Sequence, residues 1–225
     1  TAQANTIIVN TSSDSPSAAQ CNLRNAIIAA NTDSAVGGCT AGKGADTIIV
    51  PAGEHDIYGS VFSSTITIAG EGVNVTRLRS VDSGDLRISE EGDVIFSSLS
   101  IGGFRNAGKT KLSVCQISYG YIINMPTGQL AFEQCDASGD STIQNHGKLN
   151  IYGGNWVSAN AVIALLDNTI SGTAIIRSTN LQPYIIQNAG DLRLELTDCT
   201  PSYSYIPSRA GGCINNTGKL HMLYS

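Results

Sequence analysis

The sequence predicts an all-β protein: a right-handed parallel β-helix, or solenoid, of about eight coils behind an N-terminal amphipathic capping helix. Three observations point there. A motif of Asn, a short gap, Gly and alternating apolar residues recurs along the chain. Only one stretch has strong helical periodicity. Charged residues make up 14% of the 225 residues, while glycine contributes 24. That charge content lies well below the roughly 25% of an ordinary globular domain, as expected where most of the surface is strand and turn. Residues 1–225 read as one domain, with the helix at 18–31 and coils over 46–225.

The elements follow in order. Thr6-Ile7-Ile8-Val9 is a short β-prone run. Ser17 and Gln20 have the spacing of a capping box, whose side chains satisfy the free N–H groups that open a helix. Leu23, Ala26, Ile27 and Ala30 then recur at i, i+3, i+4 and i+7, giving residues 18–31 one apolar face. Gly37-Gly38 ends this region, and the stretch 46–53 reads as a strand with a turn.

Beyond it the repeat takes over. Asn145-His146-Gly147-Lys148-Leu149-Asn150-Ile151, Asn188-Ala189-Gly190-Asp191-Leu192-Arg193-Leu194 and Asn216-Thr217-Gly218-Lys219-Leu220-His221-Met222 are close copies. Looser copies start at Asn106, Asn124 and Asn168. The glycines at 108, 128, 147, 172, 190 and 218 are separated by 20, 19, 25, 18 and 28 residues, the signature of a solenoid with insertions. Alternating apolar residues are expected to point inward from short strands. The repeat glycines are expected to permit turns of positive φ. Stacked asparagines are expected to bond from coil to coil and satisfy the buried turns. About eight coils make a rod on the order of 40 Å long. The helix is expected to close the N-terminal end, while the last strand pattern, Leu220 to Tyr224, has no cap after it.

Six cysteines without a C-x-x-C pair point to disulfides in an oxidising compartment. Cys21 and Cys39 flank the helix and its loop. Cys115 and Cys135 each follow a repeat glycine by seven residues, which places them one coil apart and within bonding reach. Cys199 and Cys213 are left to pair across a long turn. A ladder of free buried thiols is the alternative. Thr1-Ala2-Gln3-Ala4 resembles the small-residue end of a secretory signal, or is an ordinary terminus.

Cys21-Asn22-Leu23-Arg24-Asn25-Ala26-Ile27, with Ala29-Ala30-Asn31 and the stretch 46–53, resembles the N-terminal region of CSLREA-type exported β-helix proteins. The segment from Gly211 to Leu220 is similar to the repeats of that group and of polymorphic outer-membrane proteins. The heptad departs from its namesake at Asn22 and Asn25, which usually read Ser and Glu. The resemblance implies a secreted or surface bacterial protein with this fold, and brings no catalytic residues.

The chemistry narrows what the chain does. A net charge of −5 argues against nucleic acid and anionic membranes, and no apolar run is long enough to span a bilayer. Carboxylates are scattered; Glu90-Glu91 and the pair Asp136 and Asp140 are the closest groupings and read as solvated turns. Arg177 and Arg193 fall 16 residues apart on predicted strands and can flank each other. His55, His146 and His221 have no metal-ligand spacing. Gly37 through Lys43 has phosphate-loop spacing, but Gly44 follows and the context fails. No cofactor is expected.

Two functions stay open. The first is a non-enzymatic extracellular structural or adhesive protein that self-associates end to end into filaments. Thr6, Ile7, Ile8, Val9, Leu220, Met222 and Tyr224 would form its stacking interface. The second is a carbohydrate-binding or polysaccharide-degrading module. Tyr119, Tyr121, Tyr203 and Tyr205 are its recognition candidates, with packing of turns as their other use. A groove along one β-sheet lined with Tyr, Arg and paired carboxylates favours the second, and a bare sheet with coil-to-coil contact between chains favours the first.

Overall fold

In the computed structural model, the described residues are 4–13, 19–57, 59–80, 86–118, 120–138, 141–157, 166–177, 179–181, 186–195, 198–199 and 214–223. The chain winds as a stack of coils with three walls, and every strand pairing between coils is parallel. The first wall holds ten described rungs, running from Thr6–Ile8 through Asp46–Val50, Thr65–Gly70, Asp93–Ile101, Lys109–Ile117, Gln129–Glu133, Lys148–Tyr152, Thr173–Arg177 and Asp191–Glu195 to Lys219–Leu223. This exceeds the expected count of about eight, because Thr6–Ile8 pairs directly on Asp46–Val50 although the helix lies between them in sequence. The third wall has eight described rungs, from Val61–Phe62 to Ile214–Asn216. A narrower second wall begins at Gly53–Asp56 and Thr76–Arg79.

Alternation builds the core. Ile7, Ile48, Ile68, Phe96, Leu112, Phe132, Ile151, Ile176 and Leu194 stand in one column by register, all buried. Aromatic rings pack within the core. Phe62 meets Phe96 edge-on at 5.7 Å, and Phe132 meets Trp156 edge-on at 5.2 Å, an arrangement worth about 0.5–1.5 kcal/mol beyond the area buried.

The helix spans Leu23–Thr32, not 18–31. Residues 19–21 are non-helical, and Ser17 lies outside the described residues. Asn22 is the cap: its side-chain oxygen accepts from the Asn25 N–H at 2.8 Å. The helix starts where its apolar face starts, since packing holds it. Leu23, Ala26, Ile27, Ala29 and Ala30 are buried in the same core as Ile7 and Ile48. Asn31 ties the end of the helix to the third wall, donating to the Val61 carbonyl at 2.6 Å and accepting from the Ser63 N–H at 3.0 Å. Cys21 and Cys39 are disulfide-bonded with Cα atoms 4.5 Å apart, closing the loop around the helix.

The asparagine column is continuous. Asn106 donates to Asn124 at 2.8 Å, Asn124 to Asn145 at 2.7 Å, and Asn145 to Asn168 at 2.7 Å. Asn168 then donates to Asn188, and Asn188 to Asn216, each at 2.6 Å. The first five are at most 1% exposed. Each also reaches backbone carbonyls of its corner, as Asn188 does to Lys219 at 2.9 Å. The column starts at Asn106 because its register partner one coil below is Ile88; Thr110 supplies the missing donor to the Asn106 oxygen at 2.8 Å.

The repeat glycines act differently from expectation. None of Gly108, Gly128, Gly147, Gly172, Gly190 and Gly218 has positive φ. They are needed because coils stack corner on corner: a Cβ on Gly190 would strike the carbonyl oxygens of Gly172 and Thr169, and one on Gly218 that of Gly190. Positive φ occurs instead at the corner between the first and second walls, at Ser98 (55°), Val114 (49°) and Gln134 (53°), then at Gly153 and Gly154.

Candidate functional site

On each first-wall strand the residues between the inward ones face solvent, so the pleat arranges outward side chains in three columns along the stack. By register the middle column runs Thr47, Thr67, Ile95, Lys111, Ala131, Asn150, Ile175, Arg193 and His221. A flanking column runs Asp93, Lys109, Gln129, Lys148, Thr173, Asp191 and Lys219; the other runs Glu133, Tyr152, Arg177, Glu195 and Leu223.

Ion pairs lace this surface. Lys111 meets Glu133 at 2.7 Å, and Lys109 meets Asp93 at 4.0 Å. The Arg177 and Arg193 Nε groups both lie 2.6 Å from Glu195, one on each carboxylate oxygen. The hydrogen bond from Arg177 holds the Glu195 carboxyl below the usual carboxylate range and raises the already high Arg177 value further. At the last coils Thr173, Ile175, Asp191, Arg193, His221 and Leu223 line an open depression of about 390 Å³, with His221 3.7 Å from Asp191. Tyr152, half exposed, stands one rung from Glu133 and from Arg177.

The wall carries six basic residues, Lys109, Lys111, Lys148, Arg177, Arg193 and Lys219, against four acidic ones, Asp93, Glu133, Asp191 and Glu195. The rest of the chain holds seven basic and fourteen acidic residues. One wall is therefore positive on a protein that is otherwise strongly negative.

The sequence candidates scatter. Tyr121 is exposed on the third wall; Tyr119, Tyr203, Tyr205 and Tyr224 lie outside the described residues. Thr6 and Ile8 point outward and Ile7 and Val9 inward on the first rung, while Leu220 and Met222 lie on the last described rung, at the far end of the wall. Cys115 and Cys135 are disulfide-bonded across adjacent coils with Cα atoms 4.5 Å apart. Cys199 lies on a short strand whose side chain is outside the description, as is all of Cys213. Glu90 and Glu91 sit in an exposed turn. Asp136 accepts from the Asn155 N–H at 2.8 Å; Asp140 lies outside the described residues. The glycine loop at 37–44 folds onto a carboxylate of its own, with the Lys43 N–H donating to Asp46 at 2.7 Å. Tyr152, Lys111 and Lys148 were missed, although the alternation of Lys148, Asn150 and Tyr152 marks them as outward.

No family model and no curated protein matches the chain. Among solved structures it resembles a pectin methylesterase mutant in complex with a hexasaccharide, at 10% identity and a TM-score of 0.52, covering 99% of this chain and 93% of that one. At that identity the likeness concerns the fold alone: with the parallel walls, it makes this chain a right-handed parallel β-helix.

Proposed function

We propose that the protein is a non-catalytic carbohydrate-binding β-helix whose first wall is the binding surface. The observation that supports this is the unbroken outward array of Tyr152, Arg177, Arg193, Glu195, Lys148 and Asp191 on adjacent rungs. A tyrosine ring offers a flat apolar platform to a sugar, and charged side chains bond hydroxyl or acidic groups beside it. Cleavage finds no support on this wall. Asp191 and Glu195 are four residues apart on one strand, about 13 Å by strand rise, against the roughly 5–9.5 Å that paired carboxylates need for glycoside hydrolysis. Glu195 is held ionised by two arginines, the opposite of a general acid.

The disulfides fit an oxidising compartment, in keeping with a secreted or cell-surface location and with the resemblance of residues 21–53 to exported bacterial proteins. No helix among the described residues is long and apolar enough to cross a membrane. An end-to-end filament has weaker support. Exposed Met222 and Leu223 favour it, but at the other end the helix lies against the third-wall strand Val61–Phe62, where a stacking coil would need an open edge.

A glycan array on the full chain tests the reading, with a reducing-end assay alongside. Binding that Tyr152→Ala weakens about tenfold, with an unchanged melting temperature, is the expected result. Release of new reducing ends would overturn the non-catalytic assignment.

A further inference from the structure

We infer that the first wall takes an acidic polysaccharide, one bearing carboxylate or sulfate groups, laid along the axis of the stack; this rests on the carbohydrate-binding reading above. Charge segregation is the first ground. Four of the five lysines in the chain stand outward on this one wall, and six basic residues there face four acidic ones, while the remainder of the chain has twice as many acids as bases. A polyanion is attracted to this face and repelled by the others, which both captures and orients it.

The arginine pair is the second ground. One carboxylate, Glu195, holds two guanidiniums by their Nε atoms, so the cluster keeps one positive charge in excess. Guanidiniums fixed in this way lose little freedom when a carboxylate or sulfate docks, and their planar forks suit such groups. Lys148 stands one rung before Arg177, and Lys219 one rung after Arg193.

Direction follows from the columns. A ligand crossing the wall along one strand meets only three outward residues of that strand. A ligand running along the axis meets a new rung about every 4.8 Å, and passes cations on the rungs of Lys111, Lys148, Arg177, Arg193 and Lys219, a span of about 24 Å at that spacing. Single-stranded nucleic acid, the other common polyanion, needs aromatic platforms for successive bases, and Tyr152 is the sole aromatic residue among the outward positions of these strands.

Titration calorimetry on the full chain tests this with a polyuronate, a sulfated glycan and a neutral β-glucan of matched length, plus a single-stranded DNA, at two salt concentrations. The expected result is binding of an acidic glycan at least about tenfold tighter than the neutral one, weakening as salt screens the charges. Arg177→Gln with Arg193→Gln is expected to lose acidic-glycan affinity on the order of tenfold, a larger loss than for the neutral glucan, with the melting temperature unchanged. Which acidic glycan binds separates carboxylate from sulfate recognition. Equal affinity for the neutral glucan, untouched by the double variant, overturns the acidic assignment and leaves the carbohydrate reading standing. Failure of every glycan to bind overturns both. DNA bound as tightly as the acidic glycans overturns the inference in favour of an unselective polyanion surface.

Discussion

Of the corners that turn the chain in each coil, two are built on opposite terms. The corner between the third and first walls places an asparagine inside the stack, bonded to the asparagine of the next coil, and repeats it at 106, 124, 145, 168, 188 and 216. The corner between the first and second walls turns on a single left-handed residue and accepts Ser98, Val114 and Gln134 in successive coils. The first corner buries a side chain that must find partners, so chemistry dictates its type. The second asks only for a backbone angle, and over half of the Val114 surface is in water. Residue identity repeats where burial punishes change.

Four substitutions sharpen or break this contrast. The largest effect is expected at Asn145, in the middle of the column. Asn145→Ala strips the Asn124 donor and the Asn168 acceptor of their partner and loses the bond to the Thr173 carbonyl. A cost of roughly 3–5 kcal/mol in urea unfolding follows, while Asn216→Ala at the exposed end costs less than about 1 kcal/mol. Equal losses at the two sites would dissolve the distinction between buried and terminal rungs.

An intermediate effect belongs to His55, a buried polar residue with no column to join. Its Nε2 lies 3.0 Å from the Pro51 carbonyl, and its Nδ1 is buried without a partner. Burial lowers its pKa below 6.5, against the weaker raising effects of Pro51 and neighbouring Asp56. The neutral ring is the folded form. Its contribution is therefore complete above the unfolded value of about 6.5 and is lost as pH falls from there toward the lower folded value. Stability should decline by up to about 1.4 kcal/mol per pH unit in that window, and His55→Leu should remove this component of the slope. Identical pH profiles for the two proteins would show that His55 protonates freely in the fold.

The smallest change is a gain. Val114 is β-branched at φ 49°, a conformation that costs a residue of its kind about 1–2 kcal/mol. Val114→Asn should stabilise the protein by about 1 kcal/mol. Destabilisation instead would mean that the valine methyls make contacts worth more than the strain.

The same contrast explains what could be read from sequence. The parallel coils and the asparagine column announce themselves through repetition, because their inward positions face the same neighbours in every coil, while the buried helix face shows in the spacing of Leu23, Ala26, Ile27 and Ala30. The left-handed corner left no trace, since Ser, Val and Gln share no propensity. The repeat glycines were visible but their reason was not; close stacking of corners appears only once coils are superposed. Asn22 as the helix cap was in plain view beside Leu23, overshadowed by the more familiar Ser17 pattern. The candidate wall was hardest to foresee. Arg177 and Arg193 lie 16 residues apart in sequence, yet the register steps 18 and sets Arg177 against Glu195. Insertions between repeats hide such offsets, and a charged wall exists only in the register.

The crosslink between Cys115 and Cys135 has a mechanical meaning. A stack of coils held by nearest neighbours peels from an end under tension, one coil at a time. The bond ties adjacent rungs across a separation of 20 residues, so the chain inside it cannot be drawn out. About 70 Å of contour length, at roughly 3.4 Å per residue, stays locked until the bond is reduced. Pulled from either terminus, the rod should extend by coil-sized steps until the unravelling front reaches that rung, and a reductant should return the missing length.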